Sequence, residues 1–150
     1  MKGFNLTNHF LIAMPTLQDP NFVRSVTYIC AHGDDGAMGI VINRPLEFGL
    51  GEVLAQMELT GVDEHIAGQP VYLGGPVQTD RGFVIHRPAT TWNSTIEITP
   101  EVAVSTSRDI LAAIAEGTGP RDVIVALGYA GWGPGQLEQE MADNAWLSGP

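Results

Sequence analysis

Three arginines of this sequence lie beside predicted strand ends and glycine-rich turns, a setting in which anions are commonly bound. Convergent guanidinium groups, together with exposed backbone N–H groups, bind phosphate or carboxylate. The alternative is that each arginine pairs with one of the seventeen acidic residues while the glycines serve turns. The candidate anion-binding set comprises Arg24, Asn43, Arg44, Gly74, Gly75 and Arg81.

Cys30 and His32 are a second candidate for chemistry, because they are two residues apart in a predicted strand and should therefore face the same side. A Cys–His pair can act as nucleophile and base, or supply half of a metal site. No further Cys or His stands nearby at ligand spacing, and free cysteines are among the most buried residues. Core packing is therefore the favoured interpretation, and neither a metal nor a cofactor is predicted.

Other motifs favour structural roles. The strings Gly74-Gly75-Pro76 and Gly128–Gly133 match neither GxxxxGK[ST] nor a GxGxxG placed between strand and helix, so they are predicted to be turns. Ser105-Thr106-Ser107 precedes an apolar helical stripe, which favours capping over a nucleophile or a phosphorylation site. A GxSxG elbow is absent, which argues against an α/β-hydrolase.

The excess of acidic over basic residues limits the classes of partner that the chain is expected to bind. Seven Lys and Arg residues against seventeen Asp and Glu give a net charge of -10, a field that repels phosphate backbones. Direct nucleic-acid binding is therefore disfavoured. The sequence has neither a signal-peptide layout nor an apolar run of about 18 residues that would suit a membrane span. The expected location is the cytoplasm, away from the membrane, and the single cysteine agrees with it.

The elements that must position these residues alternate with turns along one domain spanning residues 1–150. The hairpin turn Gly33–Gly36 joins two β-branched segments, and Pro45 ends the second of them. Residues 19–22 are predicted to form another turn or a single helical turn. Strands are predicted at 9–14, 25–32, 37–43, 70–73, 82–86, 94–98, 102–105 and 122–128. Helices are predicted through Leu50–Met57, after an N-cap at Thr106, and from Pro134 to Met141, with a loop at 131–133. This mixture of hairpins and strand–helix–strand units favours a mixed sheet with flanking helices.

Several unusual strings occur in order along nearly the whole chain, and together they resemble the AlgH/YqgE family of bacterial proteins. The strings are Asn8–Pro15, Asp19–Phe22 with Arg24–Val26, Gly36–Pro45, Val71–Val77, Arg81–His86, Leu127–Trp132 and Asn144–Leu147. The resemblance implies an α+β fold in which a mixed β-sheet forms a partly open barrel with flanking helices. It also implies a longer chain, because family members usually continue past the last string into a strand-and-helix tail.

The function that the resemblance implies is broad, because the family has no established reaction and its name refers to a proposed transcriptional regulator. We expect a non-enzymatic binding or regulatory protein that acts through a protein partner or a small anionic ligand, with any effect on transcription being indirect. The alternative is an enzyme with a hydrolytic or thiol-based site around Cys30, His32 and Arg44.

Overall fold

The computed structural model describes residues 5–17, 19–20, 22–59 and 61–149. Asn21, which belongs to the predicted turn at 19–22, lies outside the described residues. The strands are β1 (Phe10–Ala13), β2 (Val26–Gly33), β3 (Gly36–Val41), β4 (Pro45–Gly49), β5 (Pro70–Leu73), β6 (Val77–Arg87), β7 (Thr95–Glu97), β8 (Ala103–Ser105), β9 (Asp122–Trp132) and β10 (Trp146–Gly149). The helices are α1 (Leu50–Gln56), α2 (Glu64–Ala67), α3 (Arg108–Glu116) and α4 (Gln136–Ala142).

The strands form one curled sheet in the order β10-β1-β2-β3-β9-β6-β8-β7, with β4 and β5 attached beside β9. All neighbouring strands are antiparallel except β5 and β9, which run parallel. The predicted α+β fold, with a mixed sheet that curls into a partly open barrel and carries flanking helices, is confirmed.

The long strand β9 holds the sheet together. Its first half pairs with β5 and β6, and its second half pairs with β3 through Ala130 and Trp132. The loop predicted at 131–133 is therefore wrong for Gly131 and Trp132, because the β3 ladder continues through both residues. Tertiary pairing outweighs the local turn preference of the glycines here.

Other boundaries also differ from the prediction. Pro45 begins β4 instead of only ending the strand before it, a position where its missing N–H is tolerated. The N-cap of α3 is Ser107, not Thr106, whose hydroxyl instead accepts a hydrogen bond from Arg81. Helix α4 begins at Gln136, not Pro134, because Gly135 takes the left-handed conformation at its N-cap.

The two faces of the sheet are covered differently. One face is buried under helices: Leu50, Leu54 and Ile110 of α1 and α3 pack on β5, β6 and β9, while Leu137 of α4 packs on β1 and β2. The opposite face carries a third apolar cluster, to which no helical residue of the described part of the chain contributes. The core of this cluster comprises Tyr28, Cys30, Ile40, Phe83, Ile85, Val104 and Ala126. We call this side of the sheet the open face.

Candidate functional site

The open face carries a cleft of about 350 Å³, which lies within the range of small-molecule sites, roughly 300–1,000 Å³. Apolar side chains form most of its wall, and polar groups stand at two places on it. We call it the open-face cleft. Its lining residues are Asn8, Phe10, Tyr28, Ile42, Ile85, His86, Arg87, Val102, Asp122, Val123 and Ile124.

The strand register explains why these side chains meet. Phe10 stands opposite Tyr28, and Tyr28 stands opposite Ile40, so an apolar row crosses β1, β2 and β3. Ile85 stands opposite Ile124 and extends the apolar surface across β6 and β9. Directly opposed residues of antiparallel strands share a face, so the alternation of each strand delivers one wall of the cleft.

The first polar group in the open-face cleft is the Tyr28 hydroxyl. It donates a hydrogen bond of 2.6 Å to Oδ1 of Asn8 and keeps its oxygen lone pairs for a further donor. Burial, with a smaller effect from nearby Cys30, raises the pKa of Tyr28 to about 12. Tyr28 is therefore a neutral phenol throughout the physiological range.

The second polar group is a charged cluster at the cleft's rim. Arg87 donates from Nε and Nη2 to Oδ2 of Asp122 at 3.2 and 3.0 Å. The Nε of Arg121 lies 3.5 Å from the same carboxylate oxygen. Two guanidinium groups thus share the Asp122 carboxylate, although only Arg87 of the two arginines lines the cleft.

Cys30 and His32 face opposite sides of the sheet, contrary to the prediction. Between Ile29 and Ala31 the pairing of β2 with β3 shifts by one residue, so β2 bulges at Cys30 and the alternation reverses beyond it. Cys30 packs into the cluster of the open face. His32 instead lies under α4, where its Nε2 donates to Oε2 of Glu138 over 3.2 Å and its Nδ1 accepts the N–H of Leu6.

The thiol itself is not prepared for nucleophilic chemistry. Cys30 is 2% exposed, and burial raises the pKa of its thiol to about 12. A buried, protonated thiol is a poor nucleophile. In the part of the chain that the structure describes, no group of three or more His, Cys, Asp or Glu side chains is arranged to hold a metal ion.

The raised pKa values predict a loss of stability in alkali. Both Cys30 and Tyr28 titrate higher in the folded chain, near 12, than at their ordinary values of 9.0 and 10.0. Above about pH 9 the unfolded chain loses these protons first, so the free energy of unfolding decreases as pH rises towards 12. Urea unfolding between about pH 7 and 11 measures the slope. We expect Cys30→Ala to flatten it, and an unchanged slope in that variant would contradict the assignment.

A second nucleophile-like arrangement lies where β6 pairs with β8. Nε2 of His86 is 2.8 Å from Oγ of Ser105, while its Nδ1 donates to the carbonyl of Pro88 over 2.9 Å. This is the order of hydroxyl, base and orienting acceptor found in nucleophilic sites. Ser105 is fully buried and His86 is 1% exposed, so substrate has no access to the hydroxyl. No sequence motif indicates this pair, because its residues are nineteen positions apart.

The predicted anion-binding set does not form one cluster of free donors. The Arg44 guanidinium donates to the carbonyls of Pro20 and Val23. Asn43 donates to the carbonyl of Arg24 and accepts the N–H of Val26. Asn43 and Arg44 thus fasten the segment before β2. Anion binding by this set stays a prediction.

The remaining members of the set lie elsewhere. A Cβ on Gly74 would lie 2.3 Å from the carbonyl oxygen of Gly128, and one on Gly75 would lie 2.2 Å from that of Tyr129. The two glycine strings therefore cross each other, which explains their composition without a ligand. Arg81 lines a separate cleft beside α1 and α3, which none of the other five residues lines.

Comparison with known proteins agrees with this architecture. Residues 10–150 match the sequence model of the family described as AlgH-like (DUF179). A UPF0301 protein of Thioalkalivibrio sulfidiphilus is 62% identical over 97% of this chain and 78% of its own length. Another, from Nitrosococcus oceani, is 57% identical over 95% of this chain and 76% of its own. The chain thus spans about four fifths of the length of these relatives.

Solved structures are similar as well. The solution structure of the AlgH protein from Pseudomonas aeruginosa matches with a TM-score of 0.85 and 51% identity, over 100% of this chain and 79% of that one. The crystal structure of protein DIP2367 from Corynebacterium diphtheriae matches with a TM-score of 0.74 at 20% identity, over 100% and 78%. The latter supports the fold alone. None of the helices in the described residues is long and apolar enough to cross a membrane.

Proposed function

This chain belongs to the AlgH-like family, and we propose that it is a non-catalytic binding protein that holds a small apolar anion in the open-face cleft. The observation that carries the proposal is the position of the cleft on a sheet face whose apolar cluster, among the residues that the structure describes, contains no helical one. An apolar wall with a few fixed polar groups is the usual composition of a small-molecule site.

The polar groups define the chemistry of the ligand. Arg87 and Arg121 share a single carboxylate, so a ligand carboxylate or sulfonate balances the second guanidinium. The Tyr28 oxygen accepts one hydrogen bond from a ligand donor. A volume of about 350 Å³ suits one small molecule better than a peptide helix, whose diameter is roughly 10–12 Å.

A regulatory role of such a protein would be exerted through its bound ligand or a protein partner. The net charge of -10 opposes direct contact with the phosphates of DNA. The position of Cys30 and His32 on opposite faces likewise favours binding over thiol chemistry.

The test uses the fluorescent probe 1-anilinonaphthalene-8-sulfonate, competed by decanoate and by decanol. We expect one probe molecule per chain, and competition by decanoate about tenfold stronger than by decanol, because only decanoate carries the charge. Ile42→Trp fills the cleft and should abolish the fluorescence increase. Arg87→Gln should weaken decanoate but not decanol.

Ile12→Trp is the matched control, since Ile12 is 44% exposed and does not line the cleft. It should bind the probe as the parent chain does. Equal binding by Ile42→Trp and the parent chain, or equal competition by the two decyl compounds, would overturn the proposal.

A further inference from the structure

A second cleft lies on the helix-covered side, and it shares no lining residue with the open-face cleft. Its volume is about 570 Å³, and it is bounded by α1, the beginning of α3 and a bulge of β6. We call it the bulge cleft. Its lining residues are Phe48, Glu52, Val53, Gln56, Met57, Thr79, Asp80, Arg81, Gly82, Thr106, Arg108, Leu111 and Leu127.

The bulge of β6 places charged side chains at the bulge cleft. On β6 the pairing with β9 jumps from Val77 to Gly82, while on β9 a single residue, Gly128, separates the two partners. Residues 78–81 are therefore looped out of the ladder, and Gln78 takes a positive φ of 50°. Bulges of this kind re-aim side chains at the edge of a sheet.

The two arginines of the bulge cleft are held by neutral groups. Arg81 donates to Oγ1 of Thr106 over 2.9 Å, and its Cζ lies 5.9 Å from the centre of the Phe83 ring. Arg108 donates to the carbonyl of Met57 over 2.9 Å. Each guanidinium has five donors, so both keep N–H groups for a ligand.

The cleft also contains two carboxylates, those of Glu52 and Asp80. In the described part of the chain, neither these carboxylates nor the two arginines form an ion pair within 4 Å. The cleft is thus lined by two guanidinium groups and two carboxylates, all four on exposed residues.

We propose that the bulge cleft binds a zwitterion of short-peptide size, with its carboxylate on Arg81 and Arg108 and its ammonium group on Glu52 and Asp80. A ligand of one sign alone meets two groups that repel it, so charges of both signs in one site select against simple anions and simple cations. Phe48, Leu111 and Leu127 supply an apolar floor for its side chains.

The test is an amide NMR titration of the full chain with three probes of one size. These are leucyl-leucine, its N-acetyl derivative and its C-terminal amide. We expect leucyl-leucine to shift resonances of residues 79–82 and 106–108, with an affinity about tenfold or more above that of either blocked form. Arg81→Gln should weaken leucyl-leucine and the acetyl form, whereas Glu52→Gln should weaken leucyl-leucine and the amide form.

Two controls separate the site from general surface binding. Arg24→Gln removes an exposed arginine that lies outside the cleft and should leave every affinity unchanged. Arg87→Gln affects the open-face cleft and should also have no effect here. Equal affinity of the three probes, the absence of shifts at the cleft, or undiminished binding in an Arg81→Gln, Arg108→Gln double variant would each overturn the proposal.

Discussion

Gly128→Ala should lower the free energy of unfolding by about 3–5 kcal/mol, a large effect for the addition of a single methyl group. Gly128 has a φ of +80°, and a Cβ there would lie 2.5 Å from the carbonyl oxygen of Gly75 and 3.1 Å from that of Val77. Both neighbours are backbone atoms of the crossing segment that runs from Gly75 into the start of β6, so neither can rotate away. The expected loss combines left-handed strain with displacement of that segment.

Gly117→Ala is the matched control for this substitution. Gly117 has a φ of +81° and ends α3, yet a Cβ there would meet no atom within 4 Å. It should therefore show only the conformational cost, about 1–2 kcal/mol. Urea unfolding of both variants isolates the contribution of the crossing. Equal losses in the two variants would mean that the close approach of the glycine strings contributes nothing.

The crossing of the two glycine strings is a contact that local sequence patterns do not predict. Motif patterns predict that the strings 74–76 and 128–133 are turns, but residues 128–132 belong to β9. Each string needs its glycines because the backbone of the other string passes close to it. Gly74 and Gly128 are in contact although more than fifty residues separate them in the chain. Nothing within either string indicates the other. The contact depends on the parallel pairing of β5 with β9.

Local signals predicted the elements that depend on neighbours in sequence. The hairpin at Gly33–Gly36 is present with Gly33 opposite Gly36, as turn chemistry predicts. The stripe of Ile110, Leu111 and Ile114 is buried in α3. Strand β10 was not predicted, because its residues take strand conformation by pairing with β1 at the far end of the chain. Long-range pairing leaves little trace in a four-residue segment.

The positions of the candidate site residues also depend on strand pairing that local sequence patterns do not predict. Strict alternation along β2 predicts Cys30 and His32 on one face, and a single bulge residue reverses that result. Arg81 was selected from its sequence neighbourhood, but its position depends on a second bulge in β6. Strand alternation is predictable from the sequence, whereas the positions of bulges depend on how whole strands pair. Both clefts lie in parts of the sheet that such pairing arranges.

The packing of α4 against β9 and β10 depends on one side chain, that of Glu140. Oε1 of Glu140 accepts the indole N–H of Trp132 and that of Trp146, each at 2.9 Å. The two rings lie edge to face with centroids 6.0 Å apart, and both residues are almost fully buried. One carboxylate oxygen therefore ties α4 to β9 and β10. No local sequence pattern singles out Glu140, because its partners lie on two strands that meet only in the folded chain.

Glu140→Ala should destabilise the fold by about 2–4 kcal/mol, because it leaves two buried indole donors without their acceptor. Glu140→Gln keeps a carbonyl oxygen in the same place and should cost much less. Urea unfolding measures the loss, and the indole N–H resonances of Trp132 and Trp146 should move in Glu140→Ala. Trp92 serves as the internal control, because its indole donates to Thr90 instead. If Glu140→Ala and Glu140→Gln were equally stable, the shared acceptor would be structurally unimportant, and apolar packing of the two tryptophans alone would hold α4 on the sheet.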